Sequence, residues 1–440
     1  GYKAKEELPG SWTGKNMRLL QDGSLCPRPG VLKLTIANQP SGVCHGLVNL
    51  PVPSNELQVV IGTAVYNLGT FSAASMDFSG AALTGALSGA PTFELVFTWI
   101  DPHEYYISSP DENVYKCDIV ADTAAQVTSW EGGYAAAWWR DRLYVGGKPN
   151  DQPGQYRVFY SEEASDTYNA NNYFDVTYWW PVHHLLSFHD KLLISQEGHV
   201  EGWWHLLNDP ETGSLKQLGF EGTSPKQRTV VHDPNNNQVI SFGRNRLYTM
   251  DGTTIERFTH LGNPTYDEYP QGDISTEDEH VVFVDTQNKG ITRSWGAWAY
   301  TDFTQLTDDG EDSFSGQITQ QGATRFVVVD DHATAPSFYV YDPGHPAPGK
   351  TTGGMNRPGD NSATPLDAWF HMPEEWSEPG HEYRVKQVIV DFTKYNWDAG
   401  AGSNQMHLYV GLLSRQGVPA FPSETDGVLK AHGVTRTAPY

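Results

Sequence analysis

Short apolar runs return along this chain at a near-regular interval. Leu57-Gln58-Val59-Val60-Ile61, Tyr105-Tyr106-Ile107, Leu143-Tyr144-Val145, Leu192-Leu193-Ile194, Val239-Ile240-Ser241-Phe242, Val281-Val282-Phe283-Val284 and Phe326-Val327-Val328-Val329 begin 38 to 49 residues apart. Runs this short, bounded by Gly, Pro, Asn and Asp, read as strands. Most are followed by a turn and an aromatic-bearing partner, as at residues 64–68, 113–116, 246–250 and 337–341. Residues 138–175 show the unit most fully: a strand through Leu143-Tyr144-Val145, a Gly-Gly-Lys-Pro-Asn-Asp-Gln-Pro-Gly break, a returning strand at 156–160 and a polar loop.

A repeat of roughly 40–50 residues of all-β sequence is the signature of propeller blades. A four-stranded blade has two apolar faces and cannot cover both alone, whereas stacking blades around an axis covers them and shortens exposed edges. The pattern therefore predicts an all-β fold, a β-propeller of about seven blades spanning residues 37–342, with six or eight blades left open. Residues 1–36 form a polar lead-in ending in one strand, 31–36, which closes the ring by pairing with late strands. An irregular β-sandwich with strands at the same spacing is the alternative. Residues 343–364, dense in Pro and Gly, read as a linker or long loop. Beyond them, strands at 367–371, 383–392 and 406–413 predict an additional C-terminal β-sandwich-like domain over 365–440, with a polar tail from 414.

Composition narrows the classes. The 440 residues are 38% hydrophobic and 12% aromatic, with 43 Gly and 28 Pro, which suits many short strands joined by tight turns. No stretch approaches the ~20 apolar residues of a membrane span, and no apolar signal region follows Gly1-Tyr2-Lys3-Ala4-Lys5. The formal charge of −24 argues against sequence-reading DNA binding and against anionic membranes. An acidic channel wall, by contrast, would let DNA pass without adhering. Cys26, Cys44 and Cys117 are odd in number and lack CxxC spacing, so buried free thiols are expected.

Candidate chemistry is sparse. The 308–312 run Asp-Asp-Gly-Glu-Asp lacks the alternating spacing that wraps carboxylates around Ca²⁺, and a solvated acidic loop is the expectation. His183 and His184 are adjacent, so on a strand they point to opposite faces and do not share one ion. Surface or loop positions are expected for them, for His189 and for His332 beside Asp330-Asp331. Gly353-Gly354 does not make a phosphate loop, and neither a GxSxG elbow nor a sialidase-type Asp box occurs. Catalytic, cofactor and metal residues are therefore all expected to be none. The Trp138-Trp139, Trp179-Trp180, Trp203-Trp204 and Trp295/Trp298 sets suggest either carbohydrate stacking or core packing, with core packing preferred.

Three stretches resemble the propeller-containing nozzle or tail-hub proteins of short-tailed bacteriophages. They are Asn16-Met17-Arg18 running to Pro27-Arg28-Pro29-Gly30-Val31, the block from Trp139-Arg140-Asp141-Arg142-Leu143-Tyr144-Val145-Gly146-Gly147 through Phe159-Tyr160-Ser161-Glu162 to Asn172-Tyr173-Phe174-Asp175-Val176, and residues 386–394. The block continues into residues 185–194, and all the matching residues are structural in type. The resemblance implies a non-enzymatic virion protein, located in the tail. It further implies a ring of copies, commonly six, beside neighbouring tail, adaptor or portal proteins, through which DNA is ejected. The short chain and its Gly/Pro-rich linker depart from that pattern and leave nozzle, hub and decoration open. The other expectation is a virion-surface propeller that binds or hydrolyses host glycans.

Overall fold

The computed structural model describes most of residues 31–341, apart from connecting stretches such as 149–155, 220–228 and 259–270, together with the strands Thr13–Lys15, Met17–Leu19, Leu25–Pro27 and Trp369–His371. The chain divides into two compact units, Gly1–Glu374 and Glu375–Tyr440. The C-terminal strands expected at 383–392 and 406–413 lie outside the described residues, as do Gly353-Gly354 and the 343–364 linker.

The described part is all-β, and most of its strands fall into seven successive groups of four. The first comprises Cys44–Leu50, Glu56–Ile61, Ala64–Ser72 and Ala82–Ala86; the second, Val96–Trp99, Glu104–Ser108, Asn113–Asp118 and Thr123–Glu131. A single parallel pairing, Ala124 with Gly85, joins these two into one continuous sheet. The third group is Ala135–Trp139, Arg142–Gly146, Arg157–Tyr160 and Tyr173–Asp175; the fourth, Val182–Phe188, Lys191–Glu197, Gly202–Leu207 and Leu215–Gly219. The fifth is Val230–Asp233, Gln238–Gly243, Arg246–Met250 and Ile255–Phe258; the sixth, Gln271–Ile274, Val281–Val284, Lys289–Ser294 and Ala297–Asp302. Within each of these groups, strands adjacent in sequence pair antiparallel.

The seventh group draws three strands from late in the chain, Asp312–Gln320, Ala323–Asp331 and Ser337–Tyr341, and its fourth from the start. Val31–Lys33 pairs antiparallel with Ser337–Tyr341, Lys33 opposite Tyr339 and Val31 opposite Tyr341. Leu34 extends the contact by donating its backbone N–H to the Phe338 carbonyl at 2.8 Å.

Each of the seven periodic apolar runs is the second strand of its group, and the burial explains why those runs are so apolar. Leu143, Tyr144, Val145, Leu192, Leu193 and Ile194 are all fully buried, so successive side chains on both faces of the strand meet protein. Face by face, the cores link neighbours. Tyr106 and Trp130 of the second group pack with Leu143 and Val145 of the third. Tyr144 and Val158 pack with Leu192 and Ile194 of the fourth. Leu193 and Trp204 pack with Val239 and Met250 of the fifth, and Ile240 and Leu247 with Val281 and Phe283 of the sixth. The first group packs one face against the second through Val60 and Tyr105, and the other against the seventh through Val59, Val327 and Val340. Large side chains dominate these seams because burying one stabilises by about 1.5–3 kcal/mol.

Two local features differ from the sequence expectation. The lead-in carries more than its one final strand: Met17–Leu19 and Leu25–Pro27 form a small hairpin, and Thr13–Lys15 joins the sixth sheet between Ala297–Asp302 and Trp369–His371. Strands of three residues are too short to show alternation, so the pattern could not reveal them. Among the described cysteines, Cys44 and Cys117 are buried thiols outside any disulfide, and burial pushes the Cys117 thiol up to about 12.

The seam between the first and seventh groups gives a direct test. Leu34→Ala removes a buried side chain from it and is expected to destabilise by about 2–5 kcal/mol in urea unfolding. Leu83→Ala, at a position 62% exposed, is expected to stay within about 0.5 kcal/mol of the parent.

Candidate functional site

The block from Trp139 to Val176 is held by its own polar residues. Arg140 and Asp141 both have positive φ, 47° and 55°, so they form the tight turn that joins Ala135–Trp139 to Arg142–Gly146 with the twist a two-residue hairpin requires. Neither is glycine, so the turn is strained, and contacts around it offset the strain: Ala164 donates to the Asp141 carbonyl at 2.7 Å, while the Arg140 guanidinium lies 4.8 Å over the Trp139 ring. Arg142 Nη1 donates to the Ser161 carbonyl at 3.0 Å. Leu143 N–H donates to Ser161 Oγ at 2.9 Å, and Ser161 N–H returns to the Leu143 carbonyl at 2.9 Å. At Gly147, with φ of 76°, a Cβ would come 2.1 Å from the Val182 carbonyl, so glycine lets the third sheet approach the backbone of the fourth.

The polar loop beyond is organised around Glu162. Its carboxylate accepts from Asn169 Nδ2 at 3.0 Å and Asn172 Nδ2 at 2.8 Å, and these bonds hold it below the usual glutamate range. Arg157 forms a bidentate pair with Asp175, Nε to Oδ1 at 2.7 Å and Nη2 to Oδ2 at 3.3 Å, and its guanidinium stacks 3.7 Å from the Tyr173 ring. These side chains lock a turn and a loop.

An aromatic cluster lies where the chain passes from the third sheet to the fourth. Val176 N–H donates to the Tyr156 carbonyl at 2.9 Å, and the chain then runs through Tyr178, Trp179 and Trp180. Trp179 stacks on Tyr156 with centroids 5.8 Å apart and planes at 27°. Tyr178 stacks on Trp180 at 5.4 Å and 21°, and on Trp203 at 4.9 Å and 16°. The buried Gln196 side chain fixes this run from below, donating to the Tyr178 carbonyl at 2.7 Å and the Trp180 carbonyl at 2.8 Å and accepting from Tyr178 N–H at 3.3 Å. Trp179 is nevertheless 80% exposed. Core packing, the expectation from sequence, holds for Trp139 and Trp204, which are buried, but not for Trp179. The signal lay in its position: Trp179-Trp180 precedes Pro181 and sits between strands, with no alternating neighbours to place it on an inner face.

Beneath Tyr178 lies His205, fully buried, with centroids 5.9 Å apart and neither ring nitrogen hydrogen-bonded among the described residues. Burial lowers its pKa to about 4, so it is neutral at pH 7. The expected surface placement of the other histidines fails for two of them. His183 and His184 are buried in the strand Val182–Phe188, where a register shift breaks simple alternation, and His184 Nδ1 lies 3.0 Å from Ser195 Oγ. Burial, with His184 adjacent, lowers His183 to about 3. His189 does occupy a turn, with φ of 56°. The His332 position and residues 308–311 of the acidic run lie outside the described residues, as do the side chains of Trp295 and Trp298. No group of three or more His, Cys, Asp or Glu suited to a metal occurs among the described residues, and no described helix is long and apolar enough to cross a membrane.

One buried charge pair bridges the fifth and sixth sheets. Arg293 Nη2 lies 2.7 Å from Asp233 Oδ2, and Asp233 also accepts from Asn236 Nδ2 at 2.8 Å and Gln238 Nε2 at 3.1 Å. Burial pushes the Asp233 pKa upward, but Arg293 and the hydrogen bonds outweigh it and hold the carboxyl below the ordinary aspartate value.

No family model matches the chain, and no curated protein matches it. Among solved structures, the extracellular domain of a one-component system from B. thetaiotaomicron aligns with a TM-score of 0.49 and 8% sequence identity. The alignment covers 70% of this chain and 40% of that one, so the present chain spans well under half of its length.

Two measurements follow from the buried charges. His205 has a folded pKa below its unfolded value of 6.5, so the unfolded chain takes up the proton first as pH falls, and stability declines between about 6.5 and about 4. His205→Leu is expected to flatten that decline, read as a smaller change in urea midpoint between pH 7 and pH 4.5. Asp233 acts in a lower window, because a depressed carboxylate stabilises above the ordinary value of 3.8 and loses its contribution as pH drops below it. Arg293→Met leaves that carboxylate buried without its cation and is expected to cost about 3–5 kcal/mol at pH 7, measured by denaturant unfolding.

Proposed function

We propose that the seven strand groups are the blades of one β-propeller and that the protein is a structural component of a bacteriophage tail. In this reading the chain forms part of a ring-shaped nozzle or hub through which DNA is ejected, in contact with further copies of itself and with neighbouring tail, adaptor or portal proteins. The residues beyond the linker contribute a small β-sandwich-like domain. The observation that supports this most is the state of the block resembling tail proteins. Arg142, Arg157, Ser161, Glu162, Asn169, Asn172 and Asp175 all have partners within the block that fix its strands and loop, and Arg140 donates to the Asp190 carbonyl of the next sheet. A scaffold needs such self-satisfied polar networks, whereas a catalytic site leaves groups poised toward a substrate.

The charge supports the same role. A net charge of −24 repels the phosphate backbone, so duplex DNA crossing an opening lined by such a surface meets few counterion-releasing contacts that would hold it. The mechanism is then mechanical and electrostatic: rigid sheets hold the wall, and like charge keeps the passage slippery.

The test is the mass of the purified chain in solution followed by negative-stain imaging, alone and with tail particles. A ring with an opening wide enough for duplex DNA is the expected result. A monomer that also fails to incorporate into tail particles would overturn the assignment.

A further inference from the structure

We propose that the aromatic cluster of Tyr156, Tyr178, Trp179, Trp180 and Trp203 is a stacking site for neutral pyranose rings. The inference is independent of ring assembly and of the tail assignment, because it rests on one local surface.

Four observations carry it. Trp179 presents most of its surface to solvent while its ring is held against Tyr156 at 27°, so a flat, electron-rich face is displayed and does not swing freely. The second stack, Trp180–Tyr178–Trp203, has interplanar angles of 21° and 16°, so its rings are also close to parallel. The backbone beneath is fixed by three hydrogen bonds with the buried Gln196 amide, two donated and one accepted by it, so little order remains to be imposed when a ligand arrives. Polar groups stand at the edge. The Tyr178 hydroxyl lies 3.5 Å from the exposed Gln217 amide, and the Arg157–Asp175 pair stands beside the exposed Tyr173.

The chemistry of the occupant follows. A pyranose offers one face of weakly positive C–H groups that rest on the negative face of an aromatic ring, and a rim of hydroxyls that seek amides and hydroxyls at its edge. The protein's charge of −24 disfavours uronic or sialic acids and leaves neutral sugars as the matching class. Hydrolysis is not part of the proposal, because Asp175 is engaged by Arg157.

The experiment titrates the full chain with neutral gluco-, manno- and galacto-oligosaccharides and N-acetylglucosamine oligomers, using oligogalacturonate as the acidic control. Tryptophan fluorescence and calorimetry provide the readouts. A neutral oligosaccharide is expected to bind with a dissociation constant below about 10 mM, to weaken about tenfold in Trp179→Ala, and to recover in Trp179→Tyr. Leu83→Ala, at a distant exposed position, is expected to bind as the parent does. Absence of binding by every neutral probe, equal binding by Trp179→Ala, or equal binding of the acidic control would each overturn the proposal. Fluorescence that shifts with protein concentration alone, and loses that shift in Trp179→Ala, would assign the face to self-association instead and overturn it as well.

Discussion

The structure depends on one constraint: the second strand of every group is buried on both faces. A strand such as Leu192-Leu193-Ile194 has no solvent side, so its sheet cannot be stable until something covers each face. Here the cover is always the neighbouring sheet. The third sheet supplies Tyr144 and Val158 against one face of the fourth, and the fifth supplies Val239 and Met250 against the other. No group is therefore an independent folding unit, and the stability of each includes that of its neighbours. The same constraint accounts for buried aromatics, since Trp130, Trp204 and Tyr144 lie fully buried in these seams.

Two-face burial is also what made the second strands legible in sequence. A strand covered on both sides reads as an unbroken apolar run, and seven such runs mark the repeat without help from turn chemistry. The outer strands do not read this way. Tyr173–Asp175 buries only its central Phe174, and Ala82–Ala86 has no buried position at all, so neither carries a hydrophobic pattern. Their place is set by backbone pairing with the strand before them, which composition does not encode.

The site residues were legible to a lesser degree. The block around Arg140-Asp141 stood out because a turn, two strands and a polar loop follow in order, yet the side-chain hydrogen bonds of Arg142, Arg157, Ser161 and Glu162 run between residues 7 to 19 apart and are invisible to spacing rules. His183 and His184 look like surface residues by type; they are buried because this part of Val182–Phe188 is covered on both faces, as buried Val182 and Leu185 on either side show. Trp179 was placed with the core by residue type alone. Gln196 anchors the backbone on either side of it, while the indole itself stands exposed against Tyr156.

The pairing of Val31–Lys33 with Ser337–Tyr341 has a kinetic meaning. Val31–Lys33, the fourth strand of the seventh group, emerges from the ribosome roughly 300 residues before its partner, an interval of tens of seconds at roughly 5–20 residues per second. Through that wait, the strand edge of Val31–Lys33 and the Leu34 and Ile36 side chains lack their final neighbours. The pairing is thus a clasp whose two halves are made roughly 300 residues apart. Fastening it is a single long-range event of high contact order, and that event converts a row of partly covered sheets into a cooperative whole.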